Sequence, residues 1–140
     1  MNAIMRKLFP PKVLLALVLC IGAVNAVALY WHLYFYIWWL DIPMHFLGGL
    51  WIGLFVLAWY YRSPLPKKKD PTPFFVVTLA IATTLTIGLA WELFELSAQT
   101  FIERAEVHDL ADTLGDLTND FFGAVVAVGI FIRGRYNLEI

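Results

Sequence analysis

Apolar residues fall in four long runs, separated by short polar or aromatic stretches. The runs extend from Val13 to about Tyr30, from about Ile42 to Tyr61, from near Phe74 to about Leu96 and from about Leu114 to Ile132. Each is roughly 18–23 residues, enough for a helix to cross about 30 Å of hydrocarbon. Lipid offers no partner to an exposed backbone group, so a crossing segment must close its own hydrogen bonds. The runs are too long for barrel strands and lack their alternation. The pattern therefore predicts an all-α fold, with residues 1–140 forming one domain, a bundle of four transmembrane helices.

Composition supports this and excludes the alternatives. The chain is 61% hydrophobic and 15% charged, with a mean hydropathy of +0.72. Soluble domains run about 45–50% apolar and about 25% charged, and a chain this short needs polar residues to cover its large relative surface. Disorder requires low hydrophobicity, so it is excluded too. A net charge of −1 carries no basic footprint for nucleic acid. The single cysteine, Cys20, excludes an internal disulfide and a thiolate metal cluster.

Three linkers separate the runs. The first, Trp31-His32-Leu33-Tyr34-Phe35-Tyr36-Ile37-Trp38-Trp39-Leu40, is dominated by aromatics. Trp and Tyr favour the headgroup level, so it reads as an interfacial segment between the first two helices. The competing reading extends the first helix straight through it. The second linker, Arg62 to Pro73, holds four prolines and Lys67-Lys68-Lys69 and reads as a short solvated loop. The third, from about Ser97 to Thr113, carries Glu103, Arg104, Glu106, His108, Asp109 and Asp112.

Charge is sorted by side. Arg6, Lys7 and Lys12 precede the first run, Arg62 and Lys67 to Lys69 lie between the second and third, and Arg133 and Arg135 end the fourth. In a four-span chain these segments share one side. The positive-inside rule makes that side, and both termini, cytoplasmic. Arg104 is the one base opposite. Asp41, Glu92, Glu95, Glu103, Glu106, Asp109, Asp112, Asp116 and Asp120 fall on the outer half, and only Asp70 and Glu139 on the inner. The N-terminus also scores as a signal peptide, with Val24-Asn25-Ala26 as a cleavage site. The reading taken is an uncleaved anchor.

The outer acids are patterned. The second span opens with Asp41 and His45 at i and i+4. The third ends with Glu92, Glu95 and Gln99 at i, i+3 and i+7. The fourth opens with Asp112, Asp116, Asn119 and Asp120. Residues three and four apart share a helix face, so each helix presents one polar stripe at the same depth. Ionisable groups inside a membrane are costly and point inward. Gly48, Gly49, Gly53, Gly88, Gly115 and Gly123 are placed to let the helices approach. Like charges so close cannot all stay ionised. With Arg104 the only base nearby, a divalent cation is the natural counter-charge. Carboxylates with one His suit Mg²⁺, Mn²⁺, Ca²⁺, Zn²⁺ or iron. The expected ligands are Asp41, His45, Glu92, Glu95, Asp112 and Asp116. Asp120 is the expected supporting group or general base, and Asn119 an orienting one.

Blander readings stand beside these. Asp41 can cap the second span, before Pro43, and Asp112 or Thr113 the fourth. Glu103, Glu106, Asp109 and His108 read as solvated loop residues, His32 as interfacial, and Trp91 as packing or belt. The whole cluster can be a structural hydrogen-bonded network.

Asp41-Ile42-Pro43-Met44-His45-Phe46-Leu47-Gly48-Gly49, Trp91-Glu92-Leu93-Phe94-Glu95 and Asp112-Thr113-Leu114-Gly115-Asp116-Leu117-Thr118-Asn119-Asp120, with Gly123-Ala124, resemble the YjdF-like family of small bacterial inner-membrane proteins. The resemblance covers about residues 40–125. A more distant likeness is to VanZ-like proteins, which share a His-Phe near the start of one span, a Glu near the end of another and Asp-x-x-Asn-x-x-x-Gly opening the last. Asp116, Asn119 and Gly123 match that final pattern. The likeness implies a bacterial inner-membrane location and a link to the cell envelope. VanZ-like proteins carry an Arg between the Glu and the final Asp motif, a place that only Arg104 is available to fill.

The leading expectation is a metal-dependent site at the outer interface, acting by hydrolysis or transfer on a lipid-linked or phosphorylated envelope substrate. The aromatic segment 31–40 would guide an amphiphile in from the bilayer. The alternatives are proton- or cation-coupled transport, or a non-catalytic structural subunit. Transport needs a polar path onward, for which the lower halves of the spans offer Thr78, Thr83, Thr84, Thr86 and Asn25. Orientation is tested by cysteine labelling in a variant lacking Cys20. A cysteine placed at 62–73 is expected to resist an impermeant reagent added to intact cells, and one placed at 103–109 to react. Labelling at 62–73 from outside would reverse the topology.

Overall fold

The computed structural model describes residues 9–63, 72–101 and 110–139, with backbone alone for 98–101 and 135–139. Among the described residues five helices follow in chain order: α1 (Pro11–Tyr30), a short α2 (Leu33–Tyr36), α3 (Asp41–Arg62), α4 (Pro73–Phe101) and α5 (Leu110–Glu139). A 3₁₀ turn, Trp38–Leu40, leads into α3. No strand occurs among the described residues. The fold is all-helical, and four helices are long and apolar enough to cross a membrane. Lys67 to Lys69, Asp70, Glu103, Arg104, Glu106, His108 and Asp109 lie outside the described residues.

The four long helices contain the four apolar runs, but α4 and α5 overrun them. α4 continues past Leu96 to Phe101, and α5 starts at Leu110 and ends at Glu139. Hydropathy locates the part of a helix that suits hydrocarbon. Backbone hydrogen bonds carry the helix on through polar residues. Helix ends also revise the capping readings. Leu40 occupies the cap position of α3 with no side-chain cap, and Asp41 is its first residue. Asp112 lies inside the first turn of α5, where its charge complements the helix dipole.

The chain breaks between α1 and α2, so the first helix does not run on through the aromatic linker. His32 takes a left-handed conformation with φ 53°, which ends one helix and redirects the next. The Tyr34 hydroxyl donates to Asn25 Oδ1 at 2.6 Å, folding α2 back onto α1. Asn25 therefore sits at the Asp41 end of the bundle rather than in the lower half. Tyr30, Trp31, Phe35, Tyr36, Trp38 and Trp39 are all exposed.

The bundle is organised by three stripes of period four. On α3, His45, Gly49, Gly53, Leu57 and Tyr61 are buried in succession. On α4 the stripe is Val76, Ala80, Thr84, Gly88 and Glu92, and on α5 it runs from Asp116 and Asp120 to Ala124, Ala127, Val128 and Phe131. Each stripe is apolar at one end and ionisable at the other, and because α3 and α5 run parallel with α4 antiparallel to both, the like ends come together. The apolar ends form the core, where Tyr61 and Phe131 pack with ring centroids 5.0 Å apart and Phe9 stacks on Phe131.

The closest packing is between α3 and α5. A Cβ on Gly49 would collide with the backbone of Asp120, and one on Gly123 with the backbone of Phe46 and Leu50. One on Gly53 would stand 2.8 Å from Ala127 Cβ. These are close backbone approaches of the kind small residues permit in membranes. Gly48 and Gly115 differ: a Cβ on either meets nothing within 4 Å, so they do not serve helix approach. α1 is the peripheral helix and packs mainly on α3. It is tied there by Trp51 Nε1, which donates to the Leu14 carbonyl at 2.8 Å. The Arg62 guanidinium donates to the Phe9 carbonyl just before α1 begins.

Packing predicts opposite outcomes for neighbouring glycines. Gly49→Ala or Gly123→Ala is expected to destabilise by about 3 kcal/mol, the upper end of ordinary overpacking, because backbone blocks relaxation. Gly48→Ala and Gly115→Ala should be near neutral. Thermal unfolding in detergent reads the difference, and equal effects at Gly48 and Gly49 would contradict the register.

Candidate functional site

His45 is one turn into α3, at the ionisable end of all three stripes. It is 8% exposed, and around it Glu92, Asp116 and Asp120 are 4%, 4% and 3% exposed. A carboxylate cannot face lipid cheaply, and here the glycine-mediated contact of α3 with α5 encloses them. Gly88 contributes directly, since a Cβ there would occupy the place of Asp120 Oδ2.

The two imidazole nitrogens have different neighbours. Nδ1 lies 3.6 Å from Asp120 Oδ1. Nε2 lies 3.6 Å from Asp41 Oδ1, 3.8 Å from Glu92 Oε1 and 3.9 Å from Asp116 Oδ1. These separations exceed hydrogen-bond length. Ligand atoms each about 2.1–2.5 Å from a shared cation stand roughly 3–4 Å from one another, which is the spacing found around Nε2. Asp116 Oδ2 is buried and has no hydrogen-bond partner among the described residues.

Two sets of side chains place single ligand atoms within 4.8 Å of one another: Asp41, His45 and Asp116, and His45, Glu92 and Glu95. This His/Asp/Glu group can hold a metal ion. Asp41 and Glu95 are half-buried at the rim, and the other three are buried. Asp112 is exposed, one turn from Asp116 towards the start of α5, and belongs to neither set. Asn119 is half-buried and belongs to neither Nε2 surroundings nor cleft wall. Helical spacing alone does not separate these two from the rest, because Asp112, Asp116, Asn119 and Asp120 all fall within one broad face.

A cleft of about 270 Å³ opens beside His45. Asp41, His45, Glu95 and Asp120 line it together with residues that the charge pattern does not single out: Asn25, Tyr34, Met44 and the glycines at 22 and 48. Asn25 carried a signal, being the only amide in the first apolar run. The glycines carried none that distinguishes a cleft from a helix contact.

A model of the family described as "Predicted membrane protein (DUF2238)" matches residues 6–136. The chain belongs to this family. Membership agrees with the four membrane-length helices and makes the chain a multi-pass membrane protein. Neither the curated proteins nor the solved structures contain a match.

Proposed function

We propose that the protein holds a divalent metal ion at the outer end of its bundle in the bacterial inner membrane, with both termini cytoplasmic, and acts there on a phosphorylated, lipid-linked substrate of the cell envelope. The observation that carries this reading is the two-sided environment of His45. Metal-binding histidines usually give their second nitrogen to a carboxylate or carbonyl, which fixes the ring. Asp120 stands in that place at Nδ1, leaving Nε2 among Asp41, Glu92 and Asp116. The unpartnered Asp116 Oδ2 adds a second argument, since a buried polar atom without a partner is costly. Imidazole beside carboxylates favours Mn²⁺, Fe²⁺ or Zn²⁺ over Mg²⁺ and Ca²⁺.

Such an ion supplies Lewis-acid chemistry, orienting phosphate oxygens and making bound water a better nucleophile. The chain supplies the rest. Asp120 faces Nδ1, where it would orient the imidazole, and the buried Glu92 and Asp116 keep their charge directed inward. Asp41 and Glu95 stand at the rim, where a substrate head arrives. The YjdF-like and VanZ-like resemblance of Asp41 to His45, Glu92 and Asp116 to Gly123 is consistent with an envelope role. No serine or cysteine lies around His45 among the described residues, so water is the preferred attacking group.

A second reading, passage of protons or cations, draws on Thr84. Its hydroxyl is fully buried with no hydrogen-bond partner among the described residues, two turns from Glu92 on the same stripe. The stripe then continues as Ala80 and Val76 into the apolar core, so the polar path ends there and the binding reading is preferred.

Elemental analysis of protein purified without chelator is expected to find stoichiometric manganese, iron or zinc. Glu92→Ala or Asp116→Ala should lower metal affinity by about 100-fold or more, at or above the loss seen when a supporting partner is removed. Asp41→Asn, at the half-buried rim, is the variant expected to keep the fold if those two do not, and it too should lose affinity. A metal-free wild type that gains no stability from added Mn²⁺, Fe²⁺ or Zn²⁺ would overturn the reading.

A further inference from the structure

The cleft beside His45 has a direction. On α1 its wall runs from Val18 through Ile21 and Gly22 to Asn25. On α3 it runs from Ile52 through Gly48 to His45 and Asp41. On α4 it runs from Ile87 through Trp91 to Glu95. α3 is antiparallel to the other two, yet all three walls are apolar at the same end and polar at the other. Tyr34 adds its hydroxyl to the polar end through the bond to Asn25. A water-filled pore or a site for a small ion would not need three aligned gradients of polarity. They match a molecule that is itself polar at one end and apolar along its length.

The cleft also exists because side chains are missing from it. A Cβ on Gly22 or Gly48 would meet nothing within 4 Å. Neither glycine is required for helix contact, and each leaves the wall open where a larger residue would fill it. α1 and α4 both pack against α3 without an extensive contact between them, so the cleft lies in the gap between two membrane-length helices. α1 is held to α3 beyond the apolar end of the cleft by the Trp51–Leu14 bond, and at the polar end the Tyr34–Asn25 bond ties α2 to α1.

We propose that this cleft receives the hydrocarbon chain of a membrane amphiphile by sideways entry between α1 and α4, and that a phosphate head on that chain comes to rest at the His45 cluster. The head assignment rests on the metal reading above, because a cluster of carboxylates accepts a phosphate only through a bridging cation. The chain assignment rests on the cleft. Gly22 and Gly48 are the residues that determine whether a chain fits, and neither belongs to the cluster.

The test uses full-length protein in non-ionic detergent, with Mn²⁺ and dodecyl phosphate as probes. Native mass spectrometry counts bound dodecyl phosphate, and equilibrium dialysis measures Mn²⁺ separately. Wild type should take up one dodecyl phosphate, dependent on Mn²⁺. Gly48→Leu and Gly22→Leu should weaken dodecyl phosphate binding about tenfold or more, equivalent to about 1.4 kcal/mol, with Mn²⁺ affinity and thermal stability unchanged. Inorganic phosphate should bind wild type and both variants alike. If Mn²⁺ binds but dodecyl phosphate binds the variants as well as wild type, the cleft does not hold the chain and the metal reading stands. If Mn²⁺ itself does not bind, the metal reading falls and the head assignment falls with it.

Discussion

A carboxylate within the hydrocarbon depth of a membrane must be turned away from lipid and matched by positive charge. Glu92, Asp116 and Asp120 lie on membrane-length helices and are buried around His45, and much of the bundle follows from accommodating them. α3 and α5 approach closely enough that Gly49 and Gly123 have no room for a side chain. Gly88 gives up its Cβ volume to Asp120 Oδ2. The acidic end is thereby enclosed by backbone rather than by bulky side chains. The bulky residues, Leu57, Tyr61 and Phe131, are collected at the opposite end, where nothing but packing is asked of them.

This division gives the molecule two kinds of interior. The apolar end is a conventional core with stacked aromatics and a peripheral helix tied to it through Trp51 and Arg62. The other end is a shell of small residues around ionisable groups, with a cleft alongside. α1 is what makes the cleft. It packs mainly on α3, and the left-handed turn at His32 sends α2 back towards it. A four-helix bundle with α1 fully packed would have closed the way to His45.

Much of this was legible in the residues. Four helices followed from the length of the apolar runs, and the helix ends were missed only where polar residues continue a helix past the hydrocarbon-suited part, as at Phe101 and Leu110. His45, Glu92, Asp116 and Asp120 stood out because ionisable residues at helical spacing inside apolar runs have few acceptable orientations. Asp112 and Asn119 could not be told from them, since a spacing of three or four residues fixes a face only to within about a third of the helix circumference. The cleft was not legible. Gly48 and Gly49 are adjacent, yet one opens the cleft and the other closes the α3–α5 contact. Which does which depends on where α1 and α5 stand around α3, and that is a tertiary fact. Asn25 was misplaced for a related reason: its depth is set by its bond to Tyr34 and by the end of α1, not by its position in an apolar run.

On the proposed reading, His45 Nε2 and the surrounding carboxylates hold one cation. Pulsed electron paramagnetic resonance on Mn²⁺-loaded protein, after removal of any affinity tag, reads this directly. Hyperfine coupling from one histidine nitrogen is expected, shifted by ¹⁵N-histidine labelling and absent in His45→Gln. Bound Mn²⁺ with no nitrogen coupling, or a coupling that survives His45→Gln, would contradict it.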